Sequence, residues 1–323
     1  MAKKLRVLLV QGGPSNEHNI SLASGKMIFS ALDTARYNCK IVTIAPNGKW
    51  KFTDALALTP GNALAEIERQ KFDVAFIALH GKYGEDGEIQ STFETIGLSY
   101  TGSGTEASTL AMNKAVSGAL FKQYGLHTPS FIHVANADEK SMLKHISYPA
   151  VIKPCHGGSS VRISFAKNAT DAWRSVQDIL GDGDSVIVQD AVKGREFTCG
   201  ILDDENGNPQ TLPPTEIIPV KGAFFDYDSK YLVGGSHEIT PPDISNTLLK
   251  EIQDAAMLVH AAFGCSGMSR SDFIFDGKKL HILELNTIPG MTKTSLLPQA
   301  AAATGLTFSD MLDRIIHSAL QKA

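Results

Sequence analysis

Apolar positions along the first hundred residues come in short unbroken runs. Leu5–Val10 is one, halted at Gly12-Gly13-Pro14-Ser15 and followed by a stretch of helical character from about Glu17 to Leu32. Runs of this length between turn signals read as fully buried strands. Cys39–Ala45 and Val74–Leu79 read as further strands, Gly87–Ile96 as a helix and Leu98–Tyr100 as a short strand. Buried strands alternating with helices predict a parallel sheet covered on both faces. Its ligand crevice is expected at the carboxyl ends of the strands, where Gly12-Gly13 and His80-Gly81 fall. Gly102-Ser103-Gly104 marks a boundary before a helix over Thr105–Tyr124.

From His127 the texture changes to strands with short helices. Pro149–Pro154, Val161–Ala166, Ser185–Val192, Glu196–Leu202 and Thr215–Val220 read as strands, and Thr170–Leu180 as a helix. Between the first two lies Cys155–Ser160, CHGGSS. Such a Gly/Ser loop offers backbone N–H groups to a phosphate, and Lys153 in the preceding strand adds a charge. An ordinary turn is the competing reading. Lys221–Pro242, rich in Tyr, Phe, Gly and Lys, is too irregular for an element. A loop this long in a compact domain is more often a functional lid than filler. Asp243–Gly264 is an amphipathic helix and Leu297–Leu320 is helical.

The stretch Gly267–Ser295 carries the most chemistry. Arg270–Phe275 and Leu280–Leu285 read as a hairpin about Asp276-Gly277. Alternation puts Arg270 and Asp272 on one face of the first strand, and Glu284 and Asn286 on one face of the second. A strict two-residue loop would send Glu284 to the opposite side, so an odd, bulged loop using Gly277 is predicted. Asp272, Glu284 and Asn286 would then converge. Oxygen ligands with no His or Cys beside them suit Mg²⁺ or Mn²⁺, and a magnesium site of few carboxylates leaves room for substrate phosphates. An exposed hairpin with solvated acids is the bland alternative.

Composition narrows the classes. The 323 residues carry a net charge of −4 with Lys and Arg scattered, which argues against a nucleic-acid partner. The opening MAKKLRVLLV is expected to be too short in its apolar part for a signal peptide, and no apolar run approaches a membrane span. Cys39, Cys155, Cys199 and Cys265 show no metal spacing and are expected to be thiols in a reducing cytosol. A dinucleotide site at Gly12-Gly13 fails for want of G-x-G-x-x-G and of an acid ending strand Cys39–Ala45.

Nine stretches in order then carry a resemblance: GGPSNEHNISLASG (12–25), FIALHGKYGEDGEIQ (76–90), YTGSG (100–104), MNK (112–114), VIKPCHGGSSV (151–161), GREFT (194–198), FDYDSKY (225–231), SRSDF (269–273) and LELNTIPGMTKTSLLP (283–298). Together they resemble the D-alanine–D-alanine ligases of the ATP-grasp superfamily, nearly end to end. The resemblance implies an α/β and α+β chain of three domains: an N-terminal parallel α/β domain (1–104), a central ATP-grasp subdomain (105–194) and a C-terminal one (195–323) with lid loop 221–242. The last two would sandwich ATP. It also implies two Mg²⁺ or Mn²⁺ ions, D-alanine as substrate, a homodimer and a cytoplasmic role in peptidoglycan precursor synthesis.

Residue by residue, the resemblance gives Lys114 and Lys153 to the ATP phosphates, Glu196 to the ribose and Lys230 to the terminal phosphates. Asp272, Glu284 and Asn286 match metal ligands. Glu17 matches the carboxylate that holds the first D-alanine's ammonium, with Ser159 and Tyr231 as its hydrogen-bonding partners. Arg270 and the Gly290 N–H match oxyanion stabilisers, and Ser295 the group on the second substrate's carboxylate. His80 is expected to support rather than catalyse. Three positions depart from the pattern: Asn19 replaces an acid, Gln189-Asp190 precedes the ribose acid, and Arg162 stands where glycine is common. Another ATP-grasp ligase, such as one making D-Ala-D-Ser, and a catalytically silent nucleotide-binding homologue are the alternatives.

Overall fold

A computed structural model describes residues 3–53, 56–158, 162–219 and 236–321. The first sheet comprises β1 (Leu5–Gly12), β2 (Tyr37–Ile44), β3 (Trp50–Phe52) and β4 (Val74–Ile77), in the order β3-β2-β1-β4, with α1 (His18–Ala31), α2 (Pro60–Gln70) and α3 (Glu88–Thr95). β1 pairs in parallel with β2 and β4, as continuous apolar runs require, while β3 adds an antiparallel edge. The sequence reading missed β3 and α2. It also placed a strand at Leu98–Tyr100, where the chain makes only an isolated bridge from Tyr100 to Ala75.

The helix expected over Thr105–Tyr124 is two, α4 (Thr105–Met112) and α5 (Lys114–Gln123). Asn113 is extended, and its side chain accepts the N–H groups of Ala115 and Val116, both at 3.1 Å. Asparagine competes with helical backbone bonding and caps a new helix instead. The cap sets Lys114 at the first position of α5.

The second sheet runs β5 (Phe131–Val134), β8 (Val186–Asp190), β6 (Ala150–Pro154), β7 (Ser164–Ala166), backed by α6 (Ala169–Gly181). The third contains β9 (Arg195–Asp203), β10 (Pro209–Thr211), β11 (Thr215–Pro219), β12 (Ser236–Ile239), β13 (Met268–Phe275) and β14 (Leu280–Asn286), with α7 (Asn246–Ala262) against it. β12 lies in the stretch 221–242 expected to lack regular structure, so that expectation is corrected there. An edge strand of four residues, SHEI, carries too few apolar positions to register as a strand. Residues 220–235, with Lys230 and Tyr231, and residues 159–161, with Ser159, lie outside the described residues.

The C-terminal stretch is likewise two helices, α8 (Leu296–Ala303) and α9 (Phe308–Gln321). Gly305, at φ 87°, ends α8 with its N–H on Ala302 O while Leu306 N–H returns to Ala301 O. α9 turns Met311, Leu312, Ile315 and Ile316 into the same core as β1 and β4. The end of the chain thereby seals the underside of its beginning.

Candidate active site

The hairpin decides the site, and its register differs from the expectation in one instructive way. The loop Asp276–Lys279 is even, since Phe275 pairs with Leu280. Left uncorrected, that register would carry Glu284 to the wrong face. The correction is a bulge within the strand: Phe273 pairs with Ile282 but Asp272 with Glu284, so Leu283 is the extra residue. Arg270 then pairs with Asn286, and Asp272 with Glu284. The predicted odd loop at Gly277 is therefore wrong in location. The odd residue lies at Leu283, and the convergence it was invoked to explain is present.

Arg270 grips Asp272 with Nε to Oδ1 and Nη2 to Oδ2, both at 2.9 Å, and Thr198 Oγ1 donates to the same Oδ1 at 2.6 Å. Asn286 Nδ2 lies 3.4 Å from Asp272 Oδ2. Two carboxylates and an amide on one face form an oxygen-rich donor set with the chemistry of a hard divalent cation. Among the described residues no group of three or more His, Cys, Asp or Glu is arranged to hold a metal; the set reaches three only through the Asn286 amide. Glu196 faces the same side of β9 as Thr198, paired with Ile274 and Ile217.

Two pockets meet at this face. The larger, about 520 Å³, is lined by Lys114, Lys153, His156, Gly157 and Gly158 on one side and by Ser15, Glu17 and Gly81 on the other. Lys153 is 6% exposed on β6, and Lys114 Nζ donates to Gly157 O. The smaller, about 70 Å³, is lined by Glu17, His80, Glu85, Arg270, Asn286, Gly290 and Ser295. Glu17, Gly158 and Glu284 belong to both. Glu17 is held by absence of side chains: a Cβ on Gly81 would fall 2.5 Å from its Oε2, and one on Gly158 3.0 Å. Ser295 Oγ accepts the Thr292 N–H at 2.9 Å, and a Cβ on Gly290 would come within 2.8 Å of it.

Sequence profiles of the D-ala D-ala ligase N-terminus match residues 6–61 and 53–103, and that of the C-terminus matches residues 120–317. The chain belongs to the D-alanine–D-alanine ligase family. The D-alanine–D-alanine ligase of Leptospira biflexa is 38% identical over 98% of this chain and 99% of its own length. Among solved structures, the D-alanine–D-alanine ligase of Bacillus anthracis complexed with ATP superposes with a TM-score of 0.82 at 29% identity, covering 99% of this chain and 98% of that one. The VanG D-Ala:D-Ser ligase of Enterococcus faecalis superposes at 0.83 and 27% identity, covering 98% and 100%. As a member of the D-alanine–D-alanine ligase family the chain is a ligase with the ATP-grasp fold.

Within this ligase two titratable groups of the small pocket are perturbed. His80 is buried, and Ser24 Oγ lies 2.9 Å from its Nε2. Burial pushes it down to about 4, against a backbone bond to Ile288 and with the Arg270 charge assisting. It is neutral at physiological pH. Because the folded value lies below the unfolded one, this histidine's contribution to stability is complete above pH 6.5 and is lost as pH falls towards 4. The drop amounts to about 3 kcal/mol. Thermal unfolding of wild type and His80→Gln across that window should show the dependence shrinking in the variant. Glu85, which accepts the Gly81 N–H at 2.6 Å, was missed by sequence reasoning although it stands in the quoted HGKYGEDG stretch. Burial, then the Glu17 charge, raise its carboxyl well above the ordinary range. Glu238 on β12 also lines the small pocket, and no sequence signal marks it.

Arg162, one of the three departures from the resemblance, has a left-handed backbone at φ 65°. The left-handed region costs other residues on the order of 1 kcal/mol or more. Arg162 forms an ion pair with Asp182, their side chains 46% and 50% exposed. A pair so open to water returns about 0–1 kcal/mol.

Proposed function

We propose that this chain joins two D-alanines into D-alanyl-D-alanine at the expense of ATP, through an acyl phosphate. The observation that carries the reading is the common wall of the two pockets: a lysine- and glycine-lined cleft suited to phosphates opens, past Glu17, Gly158 and Glu284, onto a small pocket holding Arg270, Gly290 and Ser295. A carboxylate acylates poorly because its leaving group would be oxide. Transfer of the γ-phosphoryl group to the first D-alanine's carboxylate supplies a good leaving group, and the second D-alanine's amine then displaces phosphate through a tetrahedral oxyanion. In-line positioning supplies much of the rate of phosphoryl transfer.

Lys114, Lys153 and, on the lid, Lys230 would hold the phosphates, and Glu196 the ribose. Asp272, Glu284 and Asn286 would hold two Mg²⁺ or Mn²⁺ ions, whose charge would neutralise phosphoryl oxygens. Glu17 anchors the first ammonium. Arg270 and the Gly290 N–H stand where the carbonyl oxygen gains charge, and Ser295 where the second carboxylate binds. Residues 221–242 would exclude water, which otherwise hydrolyses the acyl phosphate. The working unit on this reading is a homodimer of the cytoplasm, supplying peptidoglycan precursors. Among the described residues no helix is long and apolar enough to cross a membrane.

Phosphate release from ATP, measured over a panel of D- and L-amino and hydroxy acids with product masses, tests the reading. D-alanine alone should give D-alanyl-D-alanine, and no ATP consumption with D-alanine would refute it. The likeness to a D-Ala:D-Ser ligase makes D-serine the acid to compare. The network of Glu17, Ser159 and Tyr231 is proposed to help deprotonate the incoming amine. Tyr231→Phe should therefore shift preference for the second substrate from an amine towards a hydroxy acid such as D-lactate, and an unchanged product ratio would count against it.

A further inference from the structure

We propose that Arg162 is an additional cation for the nucleotide's phosphates, held on Asp182 until they arrive. The inference rests on the reading that the large cleft takes ATP. Arg162 lines that cleft together with Lys114 and Lys153, and follows the glycine pair Gly157-Gly158 in the chain as Lys153 precedes it. Its left-handed backbone is a standing penalty, and the water-exposed pair with Asp182 is too weak to offset it. A guanidinium held only by a water-exposed pair can exchange it for a stronger partner, and an anion in the cleft supplies one.

The surroundings suit an exchange of partners. Asp182, Gly183 and Asp184 also line the cleft. Asp182 is engaged by Arg162, and Asp184 by His156, through Nδ1 at 2.8 Å and the backbone N–H at 3.1 Å. Carboxylate and phosphate both accept the guanidinium fork. Asp182 is already half exposed, so water resolvates it readily when Arg162 turns inward. The backbone needs no change, because the left-handed conformation is already in place.

The test is nucleotide binding by titration calorimetry with Mg²⁺, comparing wild type, Arg162→Gly and Asp182→Asn against ATP, ADP and AMP. Arg162→Gly should bind ATP about tenfold more weakly, as expected for loss of one charged hydrogen-bonding partner. AMP should bind within about twofold of wild type. Asp182→Asn should change ATP affinity in the opposite direction, since it removes the competing carboxylate. Arg162→Gly relieves the backbone, so its thermal midpoint should not fall below that of wild type. Equal ATP affinity in wild type and Arg162→Gly, equal losses for all three nucleotides, or weakening by Asp182→Asn would each overturn the inference. Failure of wild type to bind ATP would instead overturn the functional reading on which it rests.

Discussion

Arg270→Ala is expected to lower turnover by about a hundred- to a thousandfold, the effect of removing a donor from a developing oxyanion. Arg270 is well placed for such a role. Its side chain is 15% exposed at the wall of the small pocket, and the bidentate grip on Asp272 fixes the plane of its guanidinium. Preorganisation of this kind is what makes a donor more effective in a site than in water. The substitution has a second consequence, because Asp272 loses the two hydrogen bonds from Arg270 while Thr198 and Asn286 still donate to it. A cation bound at Asp272 would compensate for that loss, so ATP affinity should fall far less than kcat. Arg270→Lys should recover little, since an ammonium cannot reproduce the fork. A kcat within tenfold of wild type in Arg270→Ala would remove Arg270 from the proposed mechanism.

Gly81→Ala should raise the KM for D-alanine by roughly 10- to 100-fold while leaving ATP binding intact. The added Cβ would lie 2.5 Å from Glu17 Oε2, closer than such contacts occur, and Gly81 sits at φ 70°. Glu17 is 7% exposed and is also approached by Gly158, so its carboxylate has little room to retreat and must leave the position proposed to bind the ammonium. Loss of one charged hydrogen bond corresponds to roughly 10- to 100-fold in the KM for D-alanine. The left-handed backbone adds a stability loss of about 1–2 kcal/mol. Steady-state kinetics with each substrate varied in turn, beside a denaturant titration, separates the two effects. Unchanged KM for D-alanine would show that Glu17 does not hold the substrate.

Both predictions depend on features that differ in how far the sequence reveals them. Period-two alternation already placed Arg270 with Asp272 and Glu284 with Asn286, because alternation is a property of any strand. Which of those faces meet is a matter of register, and register follows from a bulge at Leu283 that has no glycine or turn residue to announce it. The cap at Asn113 was likewise hidden within a stretch of good helical periodicity. Short elements such as β12 and β3 escape pattern reading because three or four residues give too few repeats of any period.

Arg162 shows the same division from the other side. The sequence reveals that a cation stands in a place suited to glycine, but not that its backbone nonetheless adopts the left-handed form or that Asp182 receives its side chain.

The order of buried strands and helices, the phosphate-suited Gly/Ser loop, the oxygen donors of the hairpin and the nine stretches resembling a ligase family were all determined by local composition and spacing. Tertiary structure alone decided that β14's register brings Glu284 to Asp272, that two glycines distant in the chain hem in Glu17, and that α9 closes the core begun by β1. The physical reason is that periodicity is set by neighbours along the backbone. Convergence of side chains is set by which surfaces exclude water together, and that choice belongs to the whole chain.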